Sequence, residues 1–471
     1  MRHIIKTQVI DLVTDSQPDS FALQHRMSAV FYQYLLPVLE RAFDELSPGD
    51  EVLQFGRLEL ELGFIDPEVF YKNEFSPQVM DQLYKQIKEK IQSAQLKQKS
   101  IPIRMGIVRQ WLYYMQHGFL PWNSGTINDG WYARVLEGLA SEFSSIQLLR
   151  SLISNNDTAL TRIVRNHDVV FLSHLAEALS AQAWKDLPMM IESITQVIYS
   201  QIRTRGDSMQ PVHFKRKLWK AILVQCINQP VVTPEEIVTG VVVSILNKSE
   251  VNLLISQCAF NKQLRLMEPL LQLRSKDIED NPSPEKSVAS RKTNDPVNRK
   301  INIPDEGVFV ANAGMVLIHP FIEFLFGTLG LLDNGQFADE LSRQKAMALL
   351  QYMVTGVESS GEYDWVVAKI LCGVPLEDPV EPGIVFSSIE RQEVDELLAE
   401  VIGRWAILKS TSVETLRETF LQRPGKLIME KNDQLRLQVE RQPLDLLLEH
   451  LPWSCSIIRF GWMPQVLKVD W

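Results

Sequence analysis

The stretch VFVANAGMVLIHPFIEFLFGTLGLL, Val308 to Leu332, decides between two classes of protein. A membrane-spanning helix needs about 20 predominantly apolar residues, and this run is long enough to supply them. Its interruptions argue otherwise. Asn312, His319, Glu323 and Thr328 are polar, Pro320 breaks a helix, and Gly327 and Gly330 weaken one. Glu323 in lipid would need a partner. The run therefore predicts two buried helical pieces joined at His319–Pro320, with a membrane-inserting segment as the minor alternative.

Downstream, helical periodicity predicts helices at Gln344–Val354, Asp364–Leu371, Ile389–Leu408 and Val413–Leu421. Ser387 with Glu390, and Thr411 with Glu414, have the spacing of capping boxes. The period then changes to two: Leu435, Leu437 and Val439 alternate with Arg436, Gln438 and Glu440. Asn432–Asp433 suits a hairpin turn back to Leu427–Met429. Short strands are expected at Ser456–Phe460 and Val466–Val469. Trp453, Trp462 and Trp471 crowd this end, and read more readily as the core of a small sheet than as a binding face. Residues 305–471 thus read as an α+β C-terminal domain, helical with a short antiparallel sheet.

Upstream, residues 275–304 contain Pro282, Pro284, Pro296 and Pro304 among charges of both signs, the composition of a flexible linker. Residues 76–274 read as an irregular helical region. A capped helix opens at Ser76–Pro77, and others are expected at Ile103–Met115, Gln147–Ile153, Asp168–Leu179, Met189–Ile202, Phe214–Ile227 and Glu235–Leu246. No fixed-period motif marks a repeat array. Residues 1–75 read as a strand-helix-strand unit. Ile4–Val13 is the first strand. A helical stripe runs from Met27 to Leu46 with Pro37 kinking it, and Leu58, Leu60, Leu62 and Phe64 alternate in the second strand. The fold class is mainly α with α+β ends.

The 471 residues are 45% apolar and 23% charged, which suffices for several cores. A formal net charge of −10 opposes nucleic-acid binding in the mean field. The densest basic cluster, Lys215, Arg216, Lys217 and Lys220, reads as a solvated helix face. Cys226, Cys258, Cys372 and Cys455 form no C-x-x-C pair and suggest reduced thiols. Met1–Leu12 alternates apolar and polar residues, unlike a signal peptide, so the sequons at Asn156 and Asn247 are expected to be idle.

Chemistry-bearing patterns are sparse. Gly425–Lys426 lacks the rest of a phosphate loop. His167 and His174 share nearly one helix face, but Asp168 and Glu177 beside them complete no metal pattern, and a structural role is expected. Glu59 and Glu61 project from one strand with nothing implying burial. No catalytic, cofactor-binding or metal-ligating residue is assigned, and no enzyme is expected.

Several segments, in order, resemble a known family. His3-Ile4-Ile5-Lys6 followed by Gly56-Arg57-Leu58-Glu59-Leu60-Glu61-Leu62-Gly63 looks like the start of contractile injection system tape measure proteins. Asn312 to Phe321, Leu350-Gln351-Tyr352, Lys369 to Leu376, Leu416 to Arg423, and Leu451-Pro452-Trp453 through Trp462-Met463-Pro464 to Trp471 are similar to the rest. The resemblance covers residues 1–65 and 305–471. It implies a part of a phage-tail-like particle that lies in the inner tube and sets its length. The implied partners are the inner tube protein and baseplate or spike components, with self-association open and neither nucleic acid nor membrane expected. The implied location is the cytoplasm, then the assembled extracellular or cell-associated particle. No cofactor and no catalytic residue come with the resemblance. The alternative is a chaperone or adaptor that loads cargo into the tube lumen. A fully helical chain of this length would span about 700 Å, but 24 prolines rule out one rigid rod.

Overall fold

In the computed structural model of the chain, the described residues are 5, 8–11, 26–27, 29–46, 51–52, 77–95, 101–274 and 299–471. Within the last two ranges, 125–126, 129, 184–185, 205–209, 229–232, 259, 263, 359 and 409–410 are excepted. The expected strand at 58–64, with Glu59 and Glu61, lies outside them. So does most of the expected strand at 4–13, of which Ile5 and Gln8–Asp11 are in neither strand nor helix. The chain divides into two compact units, Met1–Arg109 with Gly125–Gly138, and Gln110–Ser124 with Leu139–Trp471.

In the first unit, helices α1 (Leu36–Leu46) and α2 (Pro77–Gln95) pack together. Met27, Val30, Leu35, Ala42 and Ile87 are buried between half-buried Phe31, Val38, Leu39 and Met80. Where a kink was expected at Pro37, the structure has a change of helix type. The proline's missing N–H and its ring disturb the turn before it, and Phe31–Leu35 is a π turn closed by Leu36 N–H on the Phe31 carbonyl. Strands β1 (Glu51–Val52) and β2 (Ile101–Pro102) form an antiparallel pair that the sequence did not signal. Helices α3 (Ile103–His117) and α4 (Trp131–Ser141) each begin in this unit and end in the second.

The second unit contains a helical layer: α5 (Phe143–Asn155), α6 (Asp157–Asn166), α7 (Val169–Ser180), α8 (Leu187–Thr204), α9 (Pro211–Asn228), α10 (Pro234–Ile245), α11 (Lys248–Cys258) and α12 (Glu268–Arg274). Central α9 buries Phe214, Leu218, Trp219, Ile222, Leu223 and Cys226 against α5, α6, α7, α8 and α10. The expected helices all form, while α4, α6, α11 and α12 are additional. Both sequons are helix caps. Asn156 Oδ1 accepts the Ala159 N–H at 2.9 Å to start α6, and Asn247 Oδ1 accepts that of Glu250 at 3.0 Å to start α11.

The rest of this unit is the C-terminal half. Val308–Leu332 is not one helix. It is strand β3 (Val308–Val310), a 3₁₀ turn (Ala313–Ile318) and helix α13 (His319–Thr328), with Pro320 in the first turn. The predicted joint at His319–Pro320 is present, but the first piece opens as a strand. No described helix is long and apolar enough to cross a membrane. A small hairpin, β4 (Leu332–Asp333) and β5 (Gln336–Phe337), follows. Then come α14 (Glu340–Thr355), α15 (Val366–Leu371), α16 (Ser388–Arg404) and α17 (Val413–Leu416), the last running into a π turn at Arg417–Leu421.

Strands β6 (Gly425–Met429), β7 (Leu435–Val439), β8 (Ile457–Ile458) and β9 (Leu467–Asp470) complete a sheet of order β3-β6-β7-β9-β8. The β6–β7 hairpin pairs Leu427 with Leu437, and Asp433 in its turn has φ 59°. The sheet is mixed, not antiparallel as expected, because β9 runs parallel to β7, with Leu435 opposite Leu467. The long connection from β7 through Pro443–His450 and β8 makes this possible, since parallel pairs need a crossover.

The Ser387–Glu390 capping box forms, but Thr411–Glu414 does not. Ser412, one residue on, caps α17 by accepting the Thr415 N–H. The tryptophans are held in or against the core. The Trp453, Trp462 and Trp471 indoles donate to Leu317 O, Leu371 O and Asp445 Oδ2 at 2.9, 2.8 and 3.1 Å. Of the expected linker, residues 275–298 lie outside the described residues. Its end is docked: Ile301 is buried and its N–H donates to Gln465 Oε1 at 2.8 Å.

Candidate functional site

Among the described residues the densest buried chemistry is ionic. Arg162 on α6 is flanked by the apolar stripe Ala159, Leu160, Ile163 and Val164, and its side chain is 0% exposed. Its Nε donates to Glu362 Oε1 at 3.0 Å, across 200 residues of sequence. Its two terminal nitrogens donate to the carbonyls of Met115 and Glu377. Asn166, one turn further along α6, donates to the other Glu362 oxygen and to the Tyr114 hydroxyl, each at 2.9 Å.

Glu362 is shared with Lys369 of α15, whose Nζ lies 2.6 Å from Oε1 and 2.8 Å from the carbonyls of both Leu376 and Asp378. Three acceptors around one nitrogen match the three N–H bonds of an ammonium, so Lys369 is charged. Burial pulls its pKa down and Glu362 holds it up, with a net downward shift. Burial would raise the Glu362 carboxyl, but Lys369 and Arg162 outweigh it and hold it below its ordinary value. Two cations thus meet one carboxylate, and the carbonyls of the 376–379 turn supply the remaining negative potential. Arg165 extends the pattern by donating to Pro379 O at 3.1 Å, and Arg165 and Arg216 both pair with Glu381.

Gly118 closes the site. It ends α3 at φ +82°, and a Cβ there would meet Leu376 O at 2.3 Å and the Arg162 guanidinium at 2.9 Å. The arrangement holds charges in place and is sealed from solvent. It presents no nucleophile and no acid–base pair to a substrate.

The residues singled out from sequence fall elsewhere. His167 accepts the Trp111 indole N–H on Nε2 at 3.1 Å, contacts Ile163 O through Nδ1 at 2.9 Å, and stacks on Phe171. Burial lowers its pKa to about 4, so it is neutral and structural. His174 pairs with Glu177 on the surface. Among the described residues no group of three or more His, Cys, Asp or Glu could hold a metal ion. Cys226, Cys258 and Cys372 are buried free thiols, with Cys226 pushed up to about 12 by burial. Lys215, Arg216 and Lys220 pair with Glu192, Glu381 and Asp157, so the basic cluster is an ion-paired helix face. Gly425–Lys426 is ordinary strand in β6.

Sequence reasoning missed Arg162, Glu362 and Lys369 as a group. The signal open to it was narrow: an arginine inside an apolar i, i+3, i+4 stripe, opened by an Asn cap.

A family model described as contractile injection system tape measure protein matches residues 2–471. The match takes in the middle of the chain, beyond the segments that carried the resemblance. Searches of curated proteins and of solved structures return no match. That description is of a structural and assembly protein of a phage-tail-like particle. The chain belongs to the contractile injection system tape measure protein family.

Proposed function

We propose that this chain works in assembly as a folded body, and that inner tube length is not the contour of one extended helix of it. What carries the reading is the Arg162–Glu362 bond, which ties α6 to the C-terminal half across 200 residues. While that bond holds, most of the chain is folded up. A globule of some 350 residues has a radius of gyration of about 20 Å, whereas the whole chain as a single helix would be a rod about 700 Å long, with a radius of gyration of about 200 Å. The C-terminal half supplies a docking module for the inner tube protein or for baseplate and spike components, and the Pro-rich 275–304 stretch joins it to the helical region. Catalysis has no part in this role. Assembly starts from a cytoplasmic pool and ends in the particle.

The test is an insertion of about 30 disordered-type residues within 275–298, with particle length read by electron microscopy. An extended ruler would lengthen the tube by about 100 Å, or by about 45 Å if the insert were helical. The folded-body reading expects uniform particles of unchanged length, and lengthening in step with the insert would refute it.

A further inference from the structure

The apolar core of the C-terminal half draws its buried side chains from residues 301–469 and from one described residue outside them, Phe119. Half-buried Tyr113 of α3 packs against it as well. The described apolar side chains of α5–α12 take no part. Among the described residues, the side-chain bonds that join that layer directly to the C-terminal half are Arg162 and Asn166 on Glu362, Arg162 on Glu377 O, Arg165 on Pro379 O, and Arg165 with Arg216 on Glu381.

The charges divide cleanly along this seam. Glu362 and Lys369 belong to the C-terminal half and pair with each other, so they form a balanced ion pair without Arg162. Lys369 also pins the 376–378 carbonyls from its own side, and Gln344 Oε1 accepts the Glu381 N–H at 2.9 Å. The socket is therefore preformed. Arg162, withdrawn from it, would be a guanidinium in water, which is no penalty. Separation leaves no orphan buried charge on either side. Trp111 of α3 bonds His167 and packs on Phe171, so this end of α3 stays with the layer, and its contacts on the other side are those of Tyr113 with the core and Tyr114 with Tyr363. A buried ion pair of this kind has a small net value, because desolvation nearly cancels attraction.

We infer that Arg162 and its socket of Glu362, Lys369 and the 376–379 carbonyls form a releasable latch, by which helices α5–α12, together with the Trp111–His117 end of α3, can leave the C-terminal half as a folded body. Gly118, in the left-handed region at the end of α3, is the pivot, and Phe119 in the C-terminal core is the tether. The latch stands on the seam's composition and not on the proposed function, since it holds whether or not the tube is measured by this chain.

The test uses the full chain, with small-angle scattering beside far-ultraviolet circular dichroism. Arg162→Met keeps the bulk and removes the charge and three donors. It is expected to raise the radius of gyration by roughly a fifth or more, the separation expected of two bodies of this size, with helical ellipticity unchanged. Arg162→Lys, which keeps the charge without the fork, falls between. Wild-type protein in graded urea is expected to expand before it loses ellipticity. An unchanged radius in a folded Arg162→Met overturns the latch. If that variant does not fold, the wild-type titration decides, and expansion coincident with loss of ellipticity overturns it.

Discussion

In the C-terminal half, a 3₁₀ turn and a π turn about a hundred residues apart in sequence meet backbone to backbone at Gly314. In the helical layer, α9 and its neighbours meet through side chains. Two glycines put the difference in numbers. A Cβ on Gly314 would stand 1.7 Å from Phe420 O, a fixed backbone atom, whereas one on Gly240 in α10 would meet only the movable end of Arg274 at 2.6 Å. The first region was built by fitting main chains together and tolerates almost no change there. The second was built by stacking amphipathic helices and can yield.

The sharpest way to break this comparison is to put alanine at both positions. Gly314→Ala is expected to cost about 5 kcal/mol or more, enough to unfold the C-terminal half, because the obstacle is backbone and the 3₁₀ turn, packed on β7, cannot retreat from it. Gly240→Ala is expected to be neutral or to gain up to about 1 kcal/mol, from alanine's helix preference with Arg274 swinging aside. Urea denaturation of both variants reads the contrast. Equal effects would mean that the two regions are not packed differently at all.

Next in size is Glu362→Gln. It keeps the shape but leaves Lys369 and Arg162 facing carbonyls alone, with an expected loss of about 3–5 kcal/mol. Unlike a change at Arg162, it strands Lys369 inside the C-terminal half, so the melting of that half should fall too. The carboxylate's contribution also has a pH window. The folded pKa is held below the unfolded value, so the stabilisation is present above the ordinary glutamate range and is lost as pH falls through the lower folded pKa. The Gln variant should lack that acid limb, as thermal melts against pH would show.

Milder acid separates the two regions by sign. His167, in the layer, has its pKa lowered by burial to about 4, while an unfolded histidine titrates near 6.5. The unfolded state binds more protons between those values, so stability falls as pH drops from about 6.5 towards 4. The residue is half-buried and not fully enclosed, which trims the effect to about 2 kcal/mol. Asp364, in the C-terminal half, is raised by burial to about 6 and acts in the opposite direction, its contribution fading as pH rises through that value. His167→Gln should flatten the first slope and Asp364→Asn the second. Variants whose melts follow the wild-type pH profile would remove both assignments.

The same contrast explains what was legible in the sequence. The layer's longer helices announce themselves by period and cap, as α10 does through Thr233–Glu236 and α7 through Asp168. The short α6 was missed because ten residues give too little periodicity, although Asn156 caps it. In the C-terminal half the β6–β7 hairpin is local and was readable. The parallel β7–β9 pair depends on a long connection, and nothing near either strand specifies it. The ionic site is the extreme case. Arg162 and Glu362 are ordinary surface residue types in sequence, and only the fold brings them together. Gly314 lay inside a recognisable motif, yet the reason for a glycine there is the Phe420 carbonyl, more than a hundred residues away.

The smallest expected effect is the one that should not distinguish the regions. Thr233 caps α10 in the layer and Ser387 caps α16 in the C-terminal half, each in a reciprocal box with a glutamate three residues on. A cap satisfies N–H groups of its own helix, so its value depends on the first turn and not on what the helix packs against. Thr233→Ala and Ser387→Ala should therefore cost about 1 kcal/mol each, although the two helices lie in differently built regions. Ser387→Ala also leaves Glu390 its pairing with Lys345, which keeps that loss from growing. Chemical denaturation of the two variants supplies the measurement. A cost at Ser387 several times that at Thr233 would mean that even local devices in the C-terminal half are coupled to its core, and would extend the contrast from packing to capping.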